Sequence, residues 1–166
     1  WLKSVDQSRP VQYERAELNY NTDIYCRMYR SVEELLAYAH QTSPKVYRPF
    51  IMTEYLHTMG NSGGGLKEYM EVFESEPVVQ GGCIWDWVDQ SFREVDAHGK
   101  WYWAYGGDYG PENIPSFGNF CCNGLVNAVR EPHPHLKEVK KTYQYIKCTL
   151  KDPKNLTIAI KNWYDF

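Results

Sequence analysis

Pro49-Phe50-Ile51-Met52-Thr53-Glu54-Tyr55-Leu56-His57-Thr58-Met59-Gly60-Asn61-Ser62 is the stretch on which the fold turns. A short apolar run closes on a lone glutamate, passes through a glycine-bearing turn and leads into a helical pattern. A parallel β/α unit presents a carboxylate at the C-terminal end of a strand in this way, and in β/α barrels that end carries the chemistry. A carboxylate placed there can equally cap a helix or sit as a surface charge. The stretch alone leaves both roles open.

Working outward, the neighbouring segments repeat the pattern. Val11-Gln12-Tyr13-Glu14 and Asp23-Ile24-Tyr25-Cys26 are strand candidates, the second running on into Arg27-Met28-Tyr29. Ser31-Val32-Glu33-Glu34 forms a capping box that opens a helix to about His40. A helix from about Gly63 to Ser75 places Leu66, Tyr69, Met70 and Phe73 on one face. The run from Val78 to Trp85 is a fourth strand, whose glycines allow another backbone to approach closely. Four short strands separated by helices or loops predict a parallel sheet buried on both faces.

Beyond it, the Gly-, Asp-, Tyr- and Pro-rich region from Asp89 to about Asn119 is too long for a plain connector. His133-Pro134-His135 then leads a helix with Leu136, Val139, Tyr143 and Ile146 at near-helical spacing. The tail changes character: Thr149-Leu150, Asp152-Pro153-Lys154-Asn155 and Leu156 to Ile160 read as strand, turn, strand. Residues 1–147 are therefore expected to belong to a β/α unit, and 148–166 to the opening of a β-sandwich domain. Trp1-Leu2-Lys3-Ser4-Val5-Asp6 has the pattern of the last turns of a helix, so both ends are expected to fall inside longer elements.

Composition narrows the function. A net charge of -3 and a pI near 6.0 give no electrostatic footprint for nucleic acid or an anionic membrane. No apolar run approaches the roughly 18 residues of a membrane span. The 6 Trp and 14 Tyr, several of them between Trp85 and Tyr109, suit either an aromatic core or the stacking faces of a sugar site. The five cysteines, Cys26, Cys83, Cys121, Cys122 and Cys148, lack CxxC spacing and sit mostly in apolar runs. They read as buried free thiols and favour a reducing compartment.

Several blocks then converge on one family. Ser8-Arg9-Pro10-Val11-Gln12-Tyr13-Glu14, Glu54 to Ser62, Gly81-Gly82-Cys83-Ile84-Trp85-Asp86-Trp87-Val88-Asp89-Gln90, Tyr105-Gly106-Gly107-Asp108 and Asn123-Gly124-Leu125-Val126 resemble the large β-galactosidases of glycoside hydrolase family 2. The resemblance runs in register over nearly the whole chain. The block around Trp85 differs from what the β-glucuronidase and β-mannosidase branches carry.

The resemblance implies a TIM (β/α)8 barrel, of which this chain supplies strands five to eight and the start of the following β-sandwich. It implies retaining hydrolysis of terminal β-D-galactose residues from lactose-type β-galactosides, with Glu54 as the nucleophile and Tyr29 orienting it. His57 is expected to bind galactosyl hydroxyls and Trp85 to form the platform under the sugar, with a non-proline cis peptide between Trp85 and Asp86. The backbone carbonyl of Phe120 and the side-chain oxygen of Asn123 are expected to ligate sodium beside the sugar's 6-hydroxyl. Cys122 stands where a methionine would be expected, which leaves the ligating atoms unchanged. Asp86 and Asp89 are expected to hold the loop after the last strand by hydrogen bonds.

Retention needs a second carboxyl, and the family's acid/base glutamate follows strand four in an Asn-Glu pair that this sequence lacks. Glu14 has no matching role. By the resemblance, the acid/base, the magnesium ligands and the rest of the sodium shell lie upstream, so the partners implied are that upstream half and, for the full enzyme, further copies of itself. A bacterial cytoplasm or periplasm is the compartment implied. The alternative is a non-catalytic sugar-binding or assembly half barrel.

Overall fold

The computed structural model describes residues 1–165. After a single helical turn, α1 (Leu2–Val5), the chain enters two strand-helix units and a third strand: β1 (Tyr25–Met28), α2 (Val32–Ala39), β2 (Phe50–Tyr55), α3 (Leu66–Ser75) and β3 (Val79–Ile84). The three strands form one parallel sheet in the order β1-β2-β3, with Tyr25 opposite Phe50 and Phe50 opposite Val79.

Helix α2 begins where the sequence places it. The Ser31 hydroxyl accepts from the Glu34 N–H at 3.2 Å while the Glu34 carboxylate accepts from the Ser31 N–H at 2.9 Å.

Phe50 and Met52 alternate onto one face of β2, and an irregularity in the pairing between Met52 and Tyr55 brings Tyr55 to the same cluster. There they pack with Leu35 of α2, Leu66 and Val72 of α3, Val79, Leu125 and Val139. Tyr69, Met70 and Phe73 pack on the same cluster. A Cβ on Gly82 would meet Met52 at 3.0 Å and Tyr55 at 3.1 Å, which is why β3 approaches β2 through a glycine.

Two expectations change. Val11–Glu14 forms no strand: only an isolated parallel bridge, Gln12 to Ile24, joins it to the sheet, and Glu14–Ala16 turn into a 3-10 helix. Nor is the sheet buried on both faces, since Ile51, Thr53 and Glu54 of β2 are only half-buried.

The long region after β3 is ordered by an antiparallel hairpin, β4 (Phe92–Val95) with β5 (Trp101–Ala104), and by 3-10 turns at Gly106–Asp108 and Gly118–Cys121. Its aromatics do not form a core: Trp87, Phe92, Trp101, Tyr102 and Tyr109 are all exposed. Helix α4 (Leu136–Thr142) follows His135, and β6 (Ile146–Asp152) pairs antiparallel with β7 (Thr157–Asn162).

All five cysteines are free, but Cys26 alone is buried; Cys83 and Cys148 are exposed, and Cys121 and Cys122 are half-buried. No helix among the described residues is long and apolar enough to cross a membrane.

Candidate active site

The C-terminal ends of β1, β2 and β3 open into one cleft of ≈ 910 Å³. Glu54, Tyr29, His57, Trp85, Phe120 and Asn123 all line it. Sequence reasoning named these six from segments almost a hundred residues apart, and the parallel sheet brings them together.

Glu54 sits one residue from the end of β2, and its carbonyl accepts the Tyr29 N–H at 2.8 Å. The pairing slips by one residue between Arg27 and Met28, so Met28 lies opposite Glu54. Tyr29 and Leu56 then leave their strands with φ of 54° and 57°, in the left-handed region that non-glycine residues seldom adopt. Such backbone costs about 1–3 kcal/mol per residue and clusters at functional sites. Here it turns the chain on both sides of the glutamate.

The Tyr29 phenol is held well above its ordinary value, first by partial burial, then by the Glu54 carboxylate and more weakly by Asp86. It therefore stays a neutral hydroxyl, able to donate, at neutral pH and well above it. Glu54 is the sole carboxylate lining the cleft among the described residues.

His57 occupies the centre. Its ring lies 4.6 Å from that of Phe120 and 6.3 Å from that of Tyr29, and its Nε2 is 3.2 Å from Asn123 Nδ2. An amide nitrogen can only donate, so His57 Nε2 is the acceptor. Trp85, 36% exposed, forms one wall, and the Trp85–Asp86 peptide is cis. Asp86 holds the following turn by accepting from the Val88 N–H at 2.9 Å and from Gln90 Nε2 at 2.7 Å.

Asn123 is almost fully buried, yet its Oδ1 has no hydrogen-bond partner. Its Nδ2 donates to the Phe120 carbonyl at 3.2 Å. That places the amide nitrogen, not the orphaned oxygen, toward the carbonyl; turned over, the amide would set two neutral oxygens side by side, a donor set suited to a hard cation. Among the described residues no group of three or more His, Cys, Asp or Glu is arranged to hold a metal ion. Cys122, beside this pair, is pushed up to about 11 by burial, so its thiol is protonated at neutral pH.

The structure adds residues that sequence reasoning missed. Thr58, buried, donates from Oγ1 to the Asn123 carbonyl. Ile114 to Gly118 form the cleft's outer wall, with Phe117 almost wholly exposed. Thr58 lies one residue beyond His57, inside the quoted motif, but nothing in its spacing signals a bond across 65 residues.

Residues 1–148 match the family described as "Glycosyl hydrolases family 2, TIM barrel domain". Over its whole length the chain is 42% identical to "Beta-galactosidase 2" of Enterobacter cloacae. It is 43% identical to the beta-galactosidase of Yersinia pestis bv. Antiqua (strain Angola). It spans 17% of the length of each. A crystal structure of a Bacteroides uniformis beta-glucuronidase superposes on 92% of this chain and 20% of its own, with a TM-score of 0.51 and 19% identity. That likeness concerns the fold alone.

Proposed function

Because the chain belongs to glycoside hydrolase family 2, as a fragment of its TIM-barrel domain, we propose that the cleft is the nucleophile half of a retaining β-galactosidase active site. The observation that carries this reading is the convergence of Glu54, Tyr29, His57, Trp85, Phe120 and Asn123 on one cleft at the strand C-termini, the end at which β/α barrels act.

Glu54 attacks the anomeric carbon of a terminal β-galactoside, the bond to the leaving oxygen breaks, and a galactosyl ester forms on the carboxylate. Tyr29 holds and aims the carboxylate, and donates to it when water attacks the anomeric carbon, the ester bond breaks and the carboxylate leaves. His57 and Asn123 bind sugar hydroxyls, and the apolar face of the sugar rests on Trp85. Phe120 O and Asn123 Oδ1 would hold sodium, which when bound supplies a positive charge beside the 6-hydroxyl.

Retention requires two carboxyls about 5–5.5 Å apart. A cleft with one carboxylate among the described residues therefore takes its acid/base, and its magnesium ligands, from sequence outside this chain. In this reading residues 1–147 provide barrel strands five to eight, 148–166 open a β-sandwich, and the whole enzyme is homo-oligomeric. A non-catalytic half barrel would leave the neutral phenol beside Glu54 without a purpose.

The test is intact mass after incubation with a 2-fluoro-galactoside bearing an activated leaving group, which needs little acid assistance. One fluoro-galactosyl unit is expected, mapped to Glu54 and absent from Glu54→Gln. Labelling of a different carboxylate, or turnover retained by Glu54→Gln, would sink the assignment.

A further inference from the structure

The His133-Pro134-His135 motif has no part in the chemistry above, yet both of its imidazoles converge on the residue that follows Asn123. His133 Nε2 lies 2.8 Å from Asp89 Oδ2, and a carboxylate oxygen can only accept, so His133 donates. The other oxygen of Asp89 accepts the Gly124 N–H at 2.7 Å. His135 Nε2 donates to the Gly124 carbonyl at 3.2 Å. The two rings stack at 5.7 Å with an interplanar angle of 23°, so each fixes the other's orientation.

The Gly124 N–H belongs to the same peptide unit as the Asn123 carbonyl. That carbonyl accepts from Thr58 Oγ1 and from the Asp86 N–H at 2.8 Å. The Asn123–Gly124 peptide plane is thus held at both ends. From one side it is gripped by the turns after β2 and β3, and from the other by Asp89, which His133 steadies in turn. A fixed peptide plane fixes the backbone of Asn123, and so the direction in which its side chain enters the cleft.

We propose that His133 and His135 are positioning residues for Asn123, with His133 acting through Asp89 and His135 directly on Gly124. Neither touches the sugar. They replace loop freedom around Asn123 with a set of bonds anchored at the start of α4. This proposal rests on the reading of Asn123 as a galactosyl- and cation-binding residue.

The test is a double-mutant cycle in the full-length protein that carries this chain, read by galactose binding in calorimetry and by kcat/KM. His133→Phe keeps a ring to stack on His135 but removes the donor; His133→Gln restores an N–H. His133→Phe is expected to weaken galactose binding and kcat/KM about 10- to 100-fold, the usual effect of losing an outer-shell partner, and His133→Gln to recover most of it. In an Asn123→Ala background His133→Phe should add no more than about 2-fold, because the group it positions is already gone. Asp89→Asn repeats the cycle without altering the imidazole stack.

Equal losses from His133→Phe in both backgrounds would overturn the proposal, since a general structural role is independent of Asn123. So would wild-type binding by both His133→Phe and Asp89→Asn. If Asn123→Ala itself binds galactose normally, the reading of the cleft fails first, a result distinct from failure of the clamp alone.

Discussion

Gly124→Ala should loosen the cleft wall without touching a side chain that meets the sugar. A Cβ there would lie 2.2 Å from the Asp89 nitrogen, 2.4 Å from the Val126 oxygen and 2.4 Å from the Val88 carbonyl carbon. All three are backbone atoms, so no side chain can swing aside. Reaching the ordinary 3.4 Å contact requires a relative shift of 3.4 − 2.2 = 1.2 Å. The strands of chain that must part are joined by Asp86 N to Asn123 O at 2.8 Å, Leu125 N to Asp86 O at 3.0 Å, Asp89 N to Val126 O at 2.9 Å and Val126 N to Trp87 O at 3.1 Å. A shift of that size ruptures two or three of these bonds, at about 1 kcal/mol each. Overpacking adds about 1–3 kcal/mol. The local opening free energy should therefore fall by about 3–6 kcal/mol, which speeds amide exchange by more than about a hundredfold where exchange follows local opening. Hydrogen exchange read by mass spectrometry on peptides covering 85–90 and 123–127 measures this directly. Gly64→Ala is the control, because nothing lies within 4 Å of a Cβ there. Protection in Gly124→Ala equal to that in Gly64→Ala would refute the close-approach argument.

On the proposed reading Tyr29→Phe removes the hydroxyl that aims the Glu54 carboxylate, so kcat of the full-length enzyme should fall about 10- to 100-fold with a smaller change in KM; unchanged kcat would count against the phenol's role. At alkaline pH, burial holds the Tyr38 hydroxyl up to about 12 from an ordinary 10.0. The unfolded state then loses its proton first, so the Tyr38 contribution is intact below pH 10 and is lost as pH rises from 10 to about 12. Tyr38→Phe should flatten that limb in a pH-stability series monitored by near-ultraviolet circular dichroism. Ser31→Ala breaks the capping box of α2 and should cost about 1 kcal/mol, seen as faster exchange confined to residues 32–36.

How far the sequence carried the reading follows from the range of the interactions. The helix starting after Ser31, the strand ending near Glu54 and the helix before Ser75 are written in local patterns: a capping box, a short continuous apolar run and a 3.6-residue face. The six cleft residues were legible because their types and spacings match a family, although their meeting is a product of three parallel strands ending at one level.

Other features were not legible. Val11–Glu14 has strand-forming residues, but only Gln12 forms a β-bridge, so pairing geometry overrode propensity. The aromatics from Trp87 to Tyr109 satisfied two readings equally, and their exposure was decided by a hairpin that turns away from the helix-covered core. His133 and His135 showed only as the entry to a helix. Their bonds to Asp89 and Gly124 span 44 and 11 residues, and such pairings depend on how α4 packs beneath the cleft rather than on any periodicity.

By itself, then, the sequence determined most of the strands and helices, which carboxylate stands at a strand end, and which family the chain belongs to. Those are properties of neighbouring residues and of local patterns that a chain carries wherever it folds. Only the tertiary structure decided that the Asn123–Gly124 peptide is gripped from both sides, that the Asn123 amide oxygen is buried without a partner, and that Tyr29 is turned toward Glu54 through a left-handed backbone. Each of these depends on where distant segments meet in space, and hydrogen-bond geometry at that scale is set by packing, not by sequence separation.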